Sequence, residues 1–421
     1  MTAAEAARRV GDGELTSEAL VGACLERIDA REETVRAWAH LDRERALAQA
    51  RARDAEQPRG PLHGIAVGVK DIIDTADLPT ECGTPVHAGR RPERDADCVA
   101  RLRAAGAVVL GKTVTTELAL YHPSKTRNPA DPARTPGGSS SGSAAAVADG
   151  MVPAALGTQT AGSVIRPASF CGVLGFKPTH GVLPLAGVKR LSERLDTLGL
   201  FARDVEDLRL LGGALGAEWA APSVSEGAPS FALCRTPWWE RADDDSQGAV
   251  AQAAERLREA GAPVRSVSLP DTFAGLVEAQ DTVQAHDCAR NLAFEYEQHR
   301  DALSEVLREY LERGRRVAPD EASAAEALGS ECAAELGALL AADEVLLVPA
   351  VVGEAPPLSA GVTGDPLFCR PWTLLGTPAL SVPGAPGSHG APVGVQLVGA
   401  VGADAAVLHA GAFAAGVLAS D

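Results

Sequence analysis

Hydrophobic positions recur with helical spacing in some segments and form short continuous runs in others, which predicts a mixture of helices and buried strands. Residues 16–30 show helical spacing after a Ser/Thr-led start, whereas GIAVGVKD (64–71) is an apolar run with a charged tip. Helices are predicted at 16–30, 43–56, 95–105, 204–216 and 246–260, in the alanine segment after 143, across most of 273–342 and at the C-terminus. Strands are predicted at 64–71, 107–112, 230–236, 344–350, 378–383 and 392–399, with an apolar run at 152–157 and PVRSVSL following the 246–260 helix.

Strands and helices alternate along the whole chain, and this alternation favours an α/β fold in which helices cover both faces of a sheet. The 421 residues and 46% hydrophobic content allow one large domain or two to three ordinary ones. No internal repeat is evident, and the Pro/Ser/Ala-rich segment at 217–229 is too short to divide the chain.

The net charge of −17 argues against nucleic-acid and anionic-membrane partners, because both favour basic patches. The chain has no run of 18 apolar residues and no apolar core of a signal peptide at its N-terminus, so we expect a soluble, cytoplasmic protein. The eight cysteines are scattered and the nine histidines form no ligand-like pair, which predicts reduced core thiols and neither a metal site nor a cofactor.

Ser163 lies in LGTQTAGSVIRPASFCG (156–172), a run of small residues in which the chain is able to turn sharply. Such a turn exposes backbone N–H groups beside the serine, as an acyl-transfer nucleophile requires. No histidine lies nearby to accept the proton of this serine. The stretch therefore raises the question of which residue acts as the base.

A second small-residue segment, RTPGGSSSGSAAAVADG (134–150), precedes Ser163 in the chain. One interpretation is a flexible linker or an ordinary loop before a helix. A phosphate-binding loop requires a lysine that is absent here, and the spacing of a dinucleotide-binding glycine motif is also absent. The segment between the two serine turns has the length of a helix plus a strand, which predicts that both turns lie at one edge of the sheet.

Lys70 is an unusual residue at the tip of an apolar strand. Only five of the 39 basic residues are lysines, and all five lie between positions 70 and 189. Lys70 is either a solvated or ion-paired cation or a buried amine, and burial lowers a lysine pKa by disfavouring its charged form. A neutral lysine is a competent base, whereas arginine stays protonated, so Lys70 is a candidate to receive the proton of Ser163 through another serine.

Three motifs in this order, GVKDIIDT (68–75), PGGSSSGSAAA (136–146) and GTQTAGSVIRPASFCG (157–172), resemble the amidase signature family. The likeness continues through GFKPTHG (175–181), LDTLGLFARDVEDL (195–208) and the C-terminal PALSVP and PVGVQLVG. It implies one α/β/α domain over 1–421 with a mixed central sheet, in which 215–340 is a variable, mostly helical region on the substrate side. It further implies a homodimer.

The resemblance also implies the site residues of a Ser–cis-Ser–Lys triad. Ser163 corresponds to the nucleophile, Ser139 to the bridging serine and Lys70 to the base, with a cis peptide between Gly138 and Ser139. The backbone N–H groups of the nucleophile loop would form the oxyanion hole. That loop comprises Thr160, Ala161, Gly162 and Ser163.

Three positions depart from the commonest family pattern: Gln159 stands for Asp, Ala161 for Gly, and the arginine follows the nucleophile by three residues instead of two. GTQT and the shifted Arg166 resemble the malonamidase-like branch, in which this arginine engages a substrate carboxylate. Arg166 and Thr158 are accordingly predicted substrate contacts. The alternative for Arg166 is a structural ion pair that anchors the loop.

The sequence thus predicts a hydrolase of small-molecule linear amides that works through an acyl-enzyme. Three alternatives remain: an amide-forming or acyl-transfer variant of the same site, an A-type component of an amidotransferase, and a non-catalytic scaffold. Thr115, Thr116 and Trp372 are candidates for the pocket wall, with ordinary packing as the alternative for each.

Overall fold

The computed structural model describes residues 1–220 and 227–419, so part of the Pro/Ser/Ala-rich segment at 217–229 lies outside the described residues. The described strands join into one mixed sheet in the order β1-β3-β2-β4-β6-β5-β10-β11-β9-β7-β8. The strands are β1 (Trp38–Leu41), β2 (Ala66–Lys70), β3 (Val108–Thr113), β4 (Ala154–Gln159), β5 (Leu174–Lys177), β6 (Thr197–Ala202), β7 (Ser230–Cys234), β8 (Val264–Val267), β9 (Glu344–Pro349), β10 (Ala379–Pro386) and β11 (Pro392–Val398).

Helices cover this sheet, and the predicted α/β fold with a mixed central sheet is confirmed. They are α1 (Ala3–Gly11), α2 (Ser17–Val35), α3 (Arg43–Asp54), α4 (Asp97–Ala104), α5 (Ser141–Ala148), α6 (Ile165–Cys171), α7 (Val205–Ala214), α8 (Asp244–Glu259), α9 (Leu276–Asn291), α10 (Ala293–His299), α11 (Glu305–Gly314), α12 (Pro319–Leu339), α13 (Arg370–Leu374) and α14 (Asp404–Leu418). No helix among the described residues has both the length and the apolar character of a membrane span.

The parallel part of the sheet creates the edge on which the candidate site is built. Strand β2 lies between β3 and β4 and runs parallel to both. Every residue of these three strands is buried, which explains why they appear in the sequence as apolar runs without alternation. Because parallel strands end on the same side, Lys70 and the loop after Gln159 lie at one edge.

Helix α5 packs unusually closely against this edge, and its sequence explains why. A Cβ on Gly142 would lie 2.2 Å from the carbonyl oxygen of Ala37 and 2.3 Å from the nitrogen of Val114. Only glycine fits at such an approach, and the serines and alanines around it keep the rest of the helix thin. The 134–150 segment is therefore a packed loop and helix, and its interpretation as a flexible linker is wrong.

The strongly patterned elements form as predicted, whereas several short ones had no pattern to identify them. The structure adds α1, β1, β5, β6, α6 and α13 to the predicted elements. Strands β5 and β6 lie in the middle of the sheet, yet LGFK and TLGLFA are too short and too glycine-interrupted to show a period. All eight cysteines are buried free thiols, as the sequence predicts.

Candidate active site

Lys70 ends strand β2, and its side chain is fully buried. Its Nζ donates to the Oγ of Ser139 at 2.7 Å and to the Oγ1 of Thr158 at 2.8 Å. Burial lowers the pKa of Lys70 to about 7, and the charge of Asp196 opposes this shift. A substantial fraction of the amine is therefore neutral near pH 7 and able to accept a proton.

Two of the other four lysines are also fully buried, but their surroundings differ from those of Lys70. Lys177, whose pKa burial lowers to about 7, donates to the carbonyl oxygens of Pro178 and Thr377. Lys112 lies 3.5 Å from the carboxylate of Asp71 and donates to the carbonyl of Ile73 at 2.7 Å. Lys112 also donates to the hydroxyl of Thr80, but the neighbouring carboxylate of Asp71 favours its charged form. The acceptors of Lys70 are the hydroxyls of Ser139 and Thr158, and a hydroxyl also has a proton to give.

Ser139 belongs to the loop that leads into α5, and the peptide between Gly138 and Ser139 is cis. A Cβ on Gly138 would lie 3.0 Å from methyl groups of Thr116 and Thr363, so this position is tightly enclosed. The neighbouring serines hold the loop instead of facing Lys70: Ser140 donates to the Thr158 carbonyl at 3.2 Å and Ser141 to the Gly137 carbonyl at 2.9 Å. Ser139 is the serine of this loop that contacts Lys70.

Ser163 lies between β4 and α6 and is 8% exposed. It shares a small cavity of about 20 Å³ with Ser139, Thr160, Ala161 and Arg166. The two serine turns therefore meet at one edge of the sheet, as predicted. The cavity has room for a water-sized group beside Ser163.

Side chains from distant parts of the chain fix the loop that carries Ser163. The Oε1 of Gln159 accepts from the N–H groups of Val164 at 2.8 Å and Ile165 at 3.1 Å, and its Nε2 donates to Thr373 at 3.0 Å. The Thr373 hydroxyl in turn donates to the carbonyl of Ala161 at 2.7 Å. Gln159, at a position where Asp is commoner in the family, thus serves as a neutral acceptor and donor at once.

Two further contacts hold Thr160 at the start of the same loop. Its hydroxyl donates to Asp196 at 2.7 Å, and its carbonyl accepts from the Nε2 of Gln280 at 2.9 Å. Asp196 also accepts from the N–H groups of Leu191 and Ser192, while burial raises its pKa to about 6. The carbonyls of Thr160 and Ala161 thus accept hydrogen bonds from Gln280 and Thr373. The N–H groups of residues 161–163, in contrast, have no hydrogen-bond partner among the described residues.

Arg166 is 6% exposed, lines the small cavity and bonds to the backbone of two separate segments. Its Nη2 donates to the carbonyl of Gly138 at 2.6 Å and its Nη1 to that of Gly364 at 2.6 Å. Burial lowers the pKa of Arg166 to about 10, which still leaves the guanidinium charged at neutral pH. The side chain therefore ties α6 to the bridging-serine loop and to the 361–366 segment.

The remaining predicted contacts lie at different places around the site. The hydroxyl of Thr158 accepts from Lys70, and Thr158 is not among the residues that line the cavity with Ser163. Thr116 covers Gly138, Thr115 lines a different cavity of about 440 Å³, and Trp372 is a core residue at 1% exposure. The packing alternative therefore describes Trp372.

A larger cavity of about 940 Å³ adjoins the small one. The two are neighbours because Tyr121, Thr363 and Pro366 line both. Arg370 donates to the hydroxyl of Tyr121 at 3.1 Å and to the carboxylate of Asp281 at 3.0 Å, so an ionic network stabilises this wall. The sequence did not identify four residues that shape the site: Tyr121, Asp196, Gln280 and Thr373. Of these, only Asp196 lies in one of the family-like motifs, LDTLGLFARDVEDL (195–208).

One cluster with metal-ligating groups occurs among the described residues, formed by Asp245, Glu354 and His389. Glu354 accepts from the N–H of His389 at 2.9 Å and pairs with Arg134 at 3.1 Å, and Asp245 accepts from Ser388 at 2.9 Å. These carboxylates already have partners, and their contacts stabilise the turn after β10.

Comparison with known proteins now identifies the family. The amidase family profile matches residues 19–408 of this chain. The chain belongs to the amidase family. It is 34% identical to the A-type component of the glutamyl-tRNA(Gln) amidotransferase from Chloroflexus aggregans, over 98% of this chain and 95% of that protein.

Solved structures of amidases superpose on the whole fold. One crystal structure of an amidase is 35% identical, covers 99% of this chain and 100% of its own, and gives a TM-score of 0.92. The peptide amidase of Stenotrophomonas maltophilia is 30% identical over 100% of this chain and 97% of its own, with a TM-score of 0.85. The protein is thus an amidase-family enzyme for cleavage of amide C–N bonds. Since these relatives differ in what their names say they act on, the malonamidase-like branch stays a prediction.

Proposed function

We propose that this amidase hydrolyses a small-molecule amide with Ser163 as nucleophile, Ser139 as proton relay and Lys70 as base. The observation that carries the proposal is the contact of Lys70 with Ser139 at 2.7 Å, on the wall of the cavity that also holds Ser163. A buried amine with a pKa near 7 is matched to accept a proton at neutral pH. A nucleophile, a proton relay and a base are the side chains that this acyl transfer requires, so a histidine is not needed.

In the proposed reaction, neutral Lys70 takes the proton of Ser139 while Ser139 takes that of Ser163. The Oγ of Ser163 attacks the amide carbon, and the carbonyl oxygen becomes an oxyanion. The N–H groups of Ala161, Gly162 and Ser163, which have no partner among the described residues, are available to stabilise that charge. Thr160 contributes the remaining N–H of the predicted oxyanion hole.

Breakdown of the tetrahedral intermediate completes the first half of the reaction. The protonated Lys70 returns its proton through Ser139 to the leaving nitrogen, the C–N bond breaks and an acyl-enzyme remains. Water then enters, loses a proton to the same relay and releases the acid. If an amine took the place of water, the same site would form a new amide, so products have to be analysed with and without added amine.

A labelling experiment on the intact protein tests the assignment. A fluorophosphonate should modify Ser163, located by peptide mass spectrometry, and ammonia release from a primary amide should stop in parallel. Ser163→Ala should remove both. Labelling of a different serine, or hydrolysis that continues after complete labelling, would show that Ser163 is not the nucleophile.

A second candidate function comes from the relatives. The likeness to the A-type component of glutamyl-tRNA(Gln) amidotransferase extends over nearly the full length of both proteins. The corresponding role would be release of ammonia from glutamine within a multi-protein complex. Glutaminase activity together with stable co-purification of other proteins of such a complex would favour this role, whereas hydrolysis of simple amides by the isolated chain favours the first.

The predicted malonamate-like substrate receives mixed support. Arg166 does line the small cavity near Ser163, where a carboxylate on the substrate would have to lie. However, both terminal nitrogens of its guanidinium already donate to backbone carbonyls, at Gly138 and Gly364, while its buried Nε has no hydrogen-bond partner among the described residues. This arrangement supports an anchoring role for Arg166, through carbonyls and not through the ion pair considered from the sequence.

A further inference from the structure

The large cavity beside the small one has the dimensions of a substrate site. Its volume of about 940 Å³ is that of a pocket for an extended small molecule. The room beside Ser163 is only about 20 Å³, so the bulk of any substrate has to lie elsewhere. Because Tyr121, Thr363 and Pro366 line both cavities, a substrate whose amide carbonyl is at Ser163 extends directly into the large one.

The walls of the large cavity are mostly apolar. Two of its residues, Val306 and Val362, remain 41% and 47% exposed. They therefore offer an apolar surface near solvent that a bound hydrocarbon would cover. The other apolar side chains of this wall include Phe170, Val352, Pro356 and Pro366.

The charged groups on this wall are mostly acidic. Asp365 pairs with Arg241 at 3.1 Å and Glu354 with Arg134 at 3.1 Å, so these two carboxylates are compensated. The guanidinium of Arg370 shares the carboxylate of Asp281 with Arg313, so the end of the wall beside Tyr121 keeps an excess of positive charge.

Two carboxylates of the wall, those of Asp243 and Glu305, are not part of an ion pair among the described residues. Asp243 caps α8 and accepts from the N–H of Ser246 at 2.9 Å, and Glu305 opens α11. Each lies at a helix N-terminus, which offsets part of its charge, and the wall around the two side chains is left acidic.

We propose that the large cavity binds the acyl group of an extended primary amide with an apolar body, and that Asp243 and Glu305 favour a cationic end over an anionic one. This inference rests on the proposed function, because it takes Ser163 as the point of attack. A primary amide fits because its leaving group, ammonia, is the size of the space beside Ser163. A carboxylate at the far end of the substrate would instead meet two carboxylates that have no ion-pair partner among the described residues.

Three primary amides of equal length test the charge preference: octanamide, 8-aminooctanamide and 8-amino-8-oxooctanoate. At low salt we expect kcat/KM for the amine to exceed that for the carboxylate by about tenfold, and the ratio to shrink in about 0.5 M NaCl as ions screen the wall. Octanamide should exceed acetamide by at least about tenfold, because its chain buries apolar surface. Protection of Ser163 against a fluorophosphonate should follow the same order without any turnover.

The double variant Asp243→Asn, Glu305→Gln should reduce the amine-to-carboxylate ratio to about twofold, since the charges are removed while Asn still caps α8. The matched control is Asp244→Asn, Glu309→Gln, which removes the same charge from the same two helices outside the cavity and should keep the ratio. Equal rates for the three amides, or a preference for the carboxylate, overturns the inference while the proposed function stands. Failure to hydrolyse any amide, with Ser163 unlabelled, overturns both.

Discussion

The Nζ of Lys70 lies 2.7 Å from the Oγ of Ser139, although 69 positions separate the two residues in the chain. Strand β2 delivers the lysine to the sheet edge, and the close packing of α5 brings the serine to the same place. The amine has to be neutral to accept the serine proton. Activity should therefore follow the protonation state of Lys70.

We expect kcat/KM for a neutral amide to fall on the acid side with a midpoint near pH 7, because Lys70 has a pKa of about 7 and loses its function as a base on protonation. A pH–rate profile from about pH 5 to about pH 9 measures this midpoint. A rate that stays constant from neutral pH down to about pH 5 would contradict a neutral lysine base.

Lys70→Arg should be almost as damaging as Lys70→Met, with a loss of about 10²–10⁴-fold in kcat, since arginine keeps the charge but does not deprotonate. Lys177→Met is the matched control, because Lys177 is equally buried with a pKa of about 7 but donates to the carbonyls of Pro178 and Thr377 instead of to hydroxyls. That control should retain the acid limb of the profile. Survival of activity in Lys70→Arg would mean that the residue acts as a cation.

Lys177→Met should also change how stability depends on pH. Burial lowers the folded-state pKa of Lys177 from 10.5 to about 7, so the unfolded chain binds more protons between these values. The lysine then destabilises the fold more as pH falls through this window. Relative to Lys177→Met, the wild type should gain unfolding free energy from pH 7 to about pH 10.5, as measured by denaturant titration.

The two serines of the proposed relay should differ in a labelling assay. Ser163→Ala should lose turnover by about 10⁴-fold or more and lose all fluorophosphonate labelling. Ser139→Ala should lose about 10²–10⁴-fold in kcat but keep weak labelling of Ser163, because the nucleophile is present without its relay. Ser141→Ala, which removes a hydroxyl that only holds the loop, serves as the control and should keep most activity.

The sequence predicts the site best where a motif and an element coincide. Lys70 is recognisable because a single lysine ends an apolar run, and Ser139 and Ser163 because each lies in a small-residue turn. Strands β5 and β6 could not be predicted, since they are too short to show a period. The partners of Arg166 could not be predicted either, because they are backbone carbonyls, at Gly138 and Gly364, and every residue has one.

The support of the nucleophile loop is a further case in which distant residues decide the geometry. Thr373→Val removes the hydroxyl that donates to the carbonyl of Ala161 at 2.7 Å and accepts from Gln159 at 3.0 Å. The orphaned groups should cost about 1–3 kcal/mol of unfolding free energy. We expect kcat to fall by about tenfold with KM little changed, because a shift of the loop weakens oxyanion stabilisation.

Thr377→Val provides the comparison for this variant. Its buried hydroxyl donates to the carbonyl of Trp372 at 3.1 Å and, among the described residues, forms no hydrogen bond with the nucleophile loop. Both variants should lower the melting temperature, but only Thr373→Val should lower kcat. Equal kcat in the two variants would show that Thr373 has a purely structural role.

Arg166 offers the sharpest test of what the substrate carries. Arg166→Gln removes two charge-assisted hydrogen bonds, to the carbonyls of Gly138 and Gly364, that join the bridging-serine loop to the wall of the large cavity. Each such bond contributes about 1.5–3 kcal/mol, so the variant should be less stable by about 2 kcal/mol or more. Because the loop that carries Ser139 loses its anchor, kcat/KM should fall for every amide.

Malonamate and butanamide, which are similar in size but differ in charge, separate the two roles of Arg166. An anchoring arginine lowers kcat/KM for both substrates by the same factor and lowers the melting temperature with it. A guanidinium that binds the substrate carboxylate would instead make Arg166→Gln lose about 10- to 100-fold more on malonamate than on butanamide. Two of the five guanidinium N–H groups donate to backbone carbonyls on two different segments, and this anchoring is the basis on which we expect equal losses. A selective loss on malonamate would restore the carboxylate-binding role predicted from the sequence.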